Sequence, residues 1–199
     1  MGQRKSKIKQ RKGIKQQMTD LRDIAFNSST RKLIKINQKA INELDRHIKE
    51  IETLIRAEIK SEPALGAQVK RIKTVPGIGD VTAWMITIKT EGFQRLTDPR
   101  KLACFAGVVP FEQQSGTSLK TKPRVSKMAD MALKSVLQMA AMRAVRMKND
   151  LQAYYLRKVE EGKNKMSVLN AVRNKLIHIA MALIKNQTKN LIYIYSLNE

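Results

Sequence analysis

The chain has 199 residues, with 39 Lys and Arg against 17 Asp and Glu, and a formal net charge of +22. Folding needs no such excess and its self-repulsion costs stability, so the expected partner is a polyanion whose counterions are released as Lys and Arg dock on phosphate. A single cysteine and two histidines exclude an intramolecular disulfide and a Cys/His zinc site.

Residues 1–15 hold Arg4, Lys5, Lys7, Lys9, Arg11, Lys12 and Lys15 with no acid, and lack the apolar core of a signal peptide. Such a block reads as a basic arm, over 1–30, that meets phosphate, or else as a solubilising and poorly ordered terminus. Over 31–62 the pattern changes. Ile34, Ile41, Ile48 and Ile55 recur every seven residues, with Leu44 and Ile51 between them and Asn37 at a polar core position. This is an a/d seam, predicting a coiled-coil helix that pairs with a second chain or with another helix of this one. It should stop near Ser61-Glu62-Pro63, because proline disfavours helix in the residue before it.

The middle of the chain, 63–150, is expected as one compact domain. A helix over 64–73 leads into the break Val75-Pro76-Gly77-Ile78-Gly79, and a second helix follows over 80–89. Asp98-Pro99 reads as an N-cap and first helical position, with Gly107 beyond the end of that helix. Residues 108–124 read as loop or short hairpin. A long helix rich in Ala and Met is predicted over 126–147, and its methionines, with Met128, Met131, Met139, Met142 and Met147 in view, are expected as adaptable core filling. Trp84 and Cys104 are expected to be buried. The C-terminal helices, over 151–161 and 166–185, complete the same domain across 151–199. The most apolar stretch, 166–184, is cut by Asn170, Arg173, Asn174, Lys175 and His178. No segment reaches the roughly 18 apolar residues of a membrane span. The fold class is therefore mainly α, and the expected place is the cytoplasm, in association with the nucleoid.

Two constellations carry chemistry. The Gly77-Ile78-Gly79 turn between helices has the form of a helix-hairpin-helix, in which glycines let the backbone approach a phosphate and the next helix directs its N–H groups at it. Such contacts read backbone, not sequence; the bland alternative is a tight turn with no ligand. The second is Ser115-Gly116 in a polar loop, followed by Lys120, Lys122, Arg124 and Lys127. A serine hydroxyl needs a base to become a nucleophile and cations to stabilise a reacting phosphoryl group. The cations are present, whereas Glu112 is the nearest acid and nothing in the sequence places it against Ser115. On chemistry alone Ser115 reads as an ordinary loop serine.

Pro76-Gly77-Ile78-Gly79, then the run KLACFAGVVP over 101–110, then Ser115-Gly116 with its basic loop and the helix through Ala140-Ala141, resemble one family in order and spacing. It is the C-terminal transposase domain of the DEDD insertion-sequence transposases (the IS-one-ten family), related to Piv-type DNA invertases. The resemblance covers about residues 65–185, and the helix over 31–60 is similar to the segment that links the two domains of these enzymes. It implies that Ser115 is the serine that attacks a phosphodiester. It implies, too, that divalent metal (magnesium) is bound by four acids of an N-terminal RuvC-like domain, and that an element-encoded RNA can guide the protein. Asp20 and Asp23 lie in a helical context and do not match that acidic pattern, so the expectation is a C-terminal portion that binds DNA element ends and target, binds no metal itself, self-associates through its coiled coil, and does not cut alone. Two other readings stay open: a helix-hairpin-helix architectural protein that does no chemistry, and a coiled-coil protein whose charge serves RNA.

Overall fold

The computed structural model describes residues 1–23, 27–109 and 129–186, and the backbone alone of residues 114–115 and 119–120. The described residues are mainly α and fall into two compact units, Met1–Pro63 and Ala64–Glu199.

In the first unit, α1 (Gly2–Arg22) and α2 (Ser28–Ser61) form a helical hairpin. Asn27 caps α2, its side chain accepting the Thr30 N–H at 2.8 Å. At the other end Glu62 turns extended ahead of Pro63, as the proline requires. Ile41, Leu44 and Ile48 of the heptad seam are buried, and Ile34, Asn37, Ile51 and Ile55 are half-buried beside them. Their cover comes from the same chain. Arg4 meets Glu52 at 2.7 Å and Arg11 meets Asp45, so α1 runs antiparallel to α2. The residues expected as an arm are thus helical from Gly2 to Arg22. The block has no acid of its own, and the acids that answer it lie 48 and 34 positions away, a pairing that local charge patterning does not reveal.

The second unit is built on α8 (Lys165–Lys185). Its Val168, Leu169, Val172, Leu176, Ile177, Ile179, Ala180, Met181 and Leu183 are buried. Around it pack α5 (Pro99–Phe105), α6 (Met131–Ala144) and α7 (Asp150–Glu160). The chain enters this unit through α3 (Pro63–Ile72) and α4 (Asp80–Lys89), and α4 packs on α6. Trp84 is core, at 2% exposure. Asparagines punctuate the C-terminal part. Asn149 caps α7 through the Leu151 and Gln152 amides and also donates to the Ala144 carbonyl that ends α6, while Asn164 caps α8. Gly107 and Gly162 take the left-handed backbone that ends α5 and α7.

Three expectations change. Helix α6 starts at Met131, not 126, because Asp130 stands outside it as the cap, accepting the Leu133 N–H at 2.8 Å. Met131 and Met139 are not core filling, at 66% and 65% exposure, Met147 beyond the helix is exposed as well, and Met142 is half-buried. Leu133, Leu137, Ala140, Ala141 and Ala144 supply the inward face instead, and Met128 lies outside the described residues. Cys104 is half-buried, on the rim of the short helix whose Leu102 and Ala103 face inward.

Helix α6 also fixes the 73–79 turn. Gly77 has φ +85°, and a Cβ built there would lie 2.3 Å from the Ala140 carbonyl oxygen and 2.9 Å from the Ala144 Cβ. A glycine facing two alanines one turn apart lets the turn and the helix backbone touch. The start of α6 is held by charge. Asp130 pairs with Lys89 of α4 at 2.7 Å. Burial pushes its carboxyl up, but the Lys89 ammonium and the Leu133 and Ala132 amides outweigh that and hold it below the ordinary carboxylate range.

Gly77→Ala should cost about 3 kcal/mol, the sum of a left-handed alanine and an overpacked contact. Gly79→Ala, where no atom lies within 4 Å of the added carbon, should cost under about 1 kcal/mol; chemical denaturation of the two variants measures the difference. Asp130→Ala should lower stability by about 1–2 kcal/mol through the lost cap. Because the folded carboxyl titrates below its unfolded value, its stabilisation is present above the ordinary carboxylate range and is lost as pH falls through the folded value. Asp130→Asn should lack that part of the acid-side slope.

Candidate nucleic-acid interface

The turn and the serine loop expected to meet DNA have different fates. In the turn, Val75 and Ile78 are buried, and the Ile78 N–H donates to the Val75 carbonyl at 3.0 Å. That amide is engaged inside the turn. Gly77 faces α6 through its missing side chain. Gly79 is the N-cap of α4 in extended backbone, and the first bond of the helix runs from the Ala83 N–H to the Gly79 carbonyl at 3.0 Å. The amides ahead of Ala83 have no partner within the helix. Asp80 sits in that first turn and pairs with Lys73 at 2.5 Å, so this helix end already has a carboxylate answering its partial positive charge.

The serine lies on a ribbon. Strand β1 (Gln114–Ser115) pairs antiparallel with β2 (Leu119–Lys120), Gln114 opposite Lys120 and Ser115 opposite Leu119. The short hairpin expected there is present, and it brings the backbones of Ser115 and Lys120 to adjacent register positions. Gly116, Lys122, Arg124 and Lys127 lie outside the described residues, as does Glu112.

What the structure adds is how this loop is rooted. Its entry follows α5: the Gly107 N–H bonds to the Cys104 carbonyl and the Val108 N–H to the Ala103 carbonyl, the paired closure of a Schellman end. The Val108 carbonyl then accepts the side-chain amide of Asn170, from α8, at 2.6 Å. Its exit is held at Asp130, whose N–H donates to the Phe105 carbonyl at 2.9 Å and whose carboxylate is fixed by Lys89 and the α6 amides. Both stems therefore meet the end of α5. Asn170, Lys89 and Asp130 were not singled out as site residues from sequence. The polar break in the apolar 166–184 stretch was a signal for Asn170 alone.

Burial lowers the pKa of His178, and Arg100 and Lys175 lower it further against a smaller opposing pull from Asp98, so the imidazole is neutral at neutral pH. Lys175 also sits over the Tyr154 ring, 4.7 Å from its centre, which engages one of the tyrosines beside Arg157 and Lys158. Arg173 is buried, and no carboxylate pairs with it among the described residues. No three or more of the described His, Cys, Asp and Glu side chains gather into a group able to hold a metal ion. No described helix is long and apolar enough to cross a membrane.

Residues 69–156, which run from the end of α3 through the turn, the serine ribbon and α6 into α7, match the family model described as Transposase IS116/IS110/IS902 family. The chain is 26% identical over 185 residues to the pilin gene-inverting protein of Moraxella bovis, covering 89% of this chain and 55% of that protein. It is 26% identical over 133 residues to the transposase for insertion sequence element IS1111A of Coxiella burnetii, covering 65% and 36%. It is 25% identical over 148 residues to a probable family 20 transposase of Pseudomonas aeruginosa, covering 73% and 42%. The chain thus spans about half the length, or less, of these curated relatives. The resemblance carried by the Gly77 turn, the Ser115 ribbon and the alanine-rich α6 is accordingly to the IS116/IS110/IS902 transposase family, whose model matches the stretch that holds them.

Proposed function

We propose that this chain is the DNA-binding, serine-bearing portion of an insertion-sequence transposase or site-specific DNA recombinase. The observation that carries this reading is the rooting of the serine ribbon: both stems meet the end of α5, the entry clamped to α8 by Asn170 and the exit held by the Phe105 carbonyl and by Lys89 of α4. A solubilising loop needs no such anchorage. A loop that must hold a hydroxyl against a phosphodiester does, since misplacement of reacting groups is costly.

In this reading the Ser115 Oγ attacks the phosphorus of a DNA phosphodiester. A phosphoserine ester forms, and the displaced deoxyribose oxygen leaves as a hydroxyl. The Ser115 proton passes to a base, and Gly116, Lys120, Lys122, Arg124 and Lys127 line the scissile region and offset its charge. Among the described residues no group of acids or histidines fits the magnesium that the family implies, so no step is derived through it. Its acidic ligands belong, in this proposal, to a RuvC-like domain in the part of the relatives that this chain does not span, acting in cis or in trans.

Exposed Lys5, Lys9, Lys12 and Lys15 on α1 give the first unit a cationic face for the DNA backbone, or for a guide RNA if one is used. Self-association would use the exposed Leu33, Ile36 and Leu54 of α2, because α1 already covers the heptad seam. The place of action is the cytoplasm, on the nucleoid. The purely architectural helix-hairpin-helix reading draws less support, because the Ile78 amide is engaged and Asp80 occupies the start of α4. Of that turn, Gly77 and Gly79 keep amides for a phosphate.

The chain should bind duplex DNA with an affinity that falls as salt rises, log K changing by about −0.9 per phosphate contacted for each log unit of salt. Mixed with a complete family member, element ends and magnesium, it should yield a covalent protein–DNA adduct that Ser115→Ala abolishes without weakening DNA binding. Absence of DNA binding at low salt would remove the whole reading, and an adduct that persists in Ser115→Ala would remove the role given to the serine.

A further inference from the structure

Arg173 is the one buried arginine among the described residues, at 8% exposure, and its Nε has no acceptor. Burial lowers its pKa, with no compensating partner. A guanidinium does not shed its proton in a protein, so it cannot escape this environment by becoming neutral, as a lysine can. Buried charges are ordinarily paired or hydrogen-bonded, because leaving one uncompensated costs several kcal/mol. The residue beside it, Asn174, also has a buried amide oxygen without a partner. The two amide atoms of an asparagine exchange by rotation, so this position can offer a donor as readily as an acceptor.

The location gives this orphaned charge a meaning. Arg173 stands three positions after Asn170 on α8, so the two are neighbours on one helix face. Asn170 is the residue that clamps the Val108 carbonyl at the entry of the serine ribbon. The chain therefore places a permanent cation, without a counter-ion from any described residue, one helical turn from the root of the loop that carries Ser115.

Resting on the DNA-binding reading above, we propose that Arg173 is a phosphate-binding residue, completed by a DNA backbone phosphate that docks on α8 at the base of the serine loop. The phosphate supplies both what the residue lacks, a negative charge and paired acceptors matching the planar fork of a guanidinium. Asn174 can add a donor to the same oxygens.

The test uses the full chain with a short fluorescent DNA duplex across a salt series, and the thermal midpoint without DNA. In Arg173→Met, which keeps much of the side-chain length and removes the charge, DNA affinity should fall about tenfold or more and the magnitude of the salt slope should drop by about 1. The thermal midpoint without DNA should stay level or rise, since an uncompensated buried charge is removed. Arg173→Lys should keep the slope while losing part of the affinity, because an ammonium cannot make the paired contact. A fall in the thermal midpoint with unchanged DNA binding, or failure of Arg173→Met to fold, would show that the guanidinium is paired within the chain and would overturn the proposal. If the unaltered chain does not bind DNA, the broader reading fails first. If it binds and Arg173→Met binds equally with the same slope, this inference alone fails.

Discussion

The burial of α8 on three sides is the constraint from which the second unit follows. Nine apolar side chains of one 21-residue helix are shut from solvent against α5, α6 and α7, and each such residue contributes on the order of 1.5–3 kcal/mol when removed from water. A helix enclosed in this way cannot slide or rotate without exposing part of that surface. Whatever side chain it carries toward the end of α5 is therefore fixed in place, and the side chain it carries there is Asn170. The position of the serine ribbon's entry is in this sense a by-product of core packing, transmitted by one 2.6 Å hydrogen bond. The Gly77 contact does the same for the 73–79 turn, with Ala140 and Ala144 leaving space for the backbone of one element against another.

Charge is arranged around this apolar frame so that the few acids do structural work. Glu52 and Asp45 hold α1 to α2, and Asp130 closes the serine loop on α4 while capping α6. Glu43 and Glu50 are answered by Arg46, Glu91 by Arg95 and Glu161 by Lys158. Exposed pairs of the latter kind contribute about 0–1 kcal/mol, so their weight lies less in stability than in what they leave over. With 17 acids against 39 cations, pairing on any scale leaves a large positive surplus, which is suited to a phosphate backbone and costly without one.

Helix boundaries were legible wherever a residue type has one structural use. Asp98-Pro99 opens α5, Gly107 and Gly162 close α5 and α7, and Pro63 ends α2, all for reasons confined to neighbouring atoms. The heptad seam was legible too, down to its half-buried Asn37, but not its partner. Nothing within the acid-free block of residues 1–15 indicates that it will be helix, since the carboxylates that accept Arg4 and Arg11 are far along the chain. The exposed methionines show the converse. Met131 and Met139 are apolar and sit in an apolar helix, yet the alanines take the inward face because only small side chains allow the close approach that Gly77 makes. Around the candidate site, the short ribbon at Ser115 and the tight glycine turn were readable as local structure from turn residues and spacing. The root of the ribbon was not, because Asn170 of α8, Lys89 of α4 and the α6 cap Asp130 are far apart in the chain and no local pattern joins them.

Polar residues on an enclosed helix are the place where packing and function compete. For stability alone, position 173 would be better filled by a leucine or a methionine, which could bury at similar volume without desolvating a charge. Asn170 recovers its desolvation cost through the Val108 carbonyl, and His178 does so by staying neutral. Arg173 has neither route, since it has no acceptor for its Nε and cannot lose its proton. Among the described residues, the one buried arginine thus stands without a counter-ion beside the root of the serine loop. The free energy withheld from folding at such a position is recovered when an anion arrives, so it adds to the affinity for that anion and not to the stability of the empty fold.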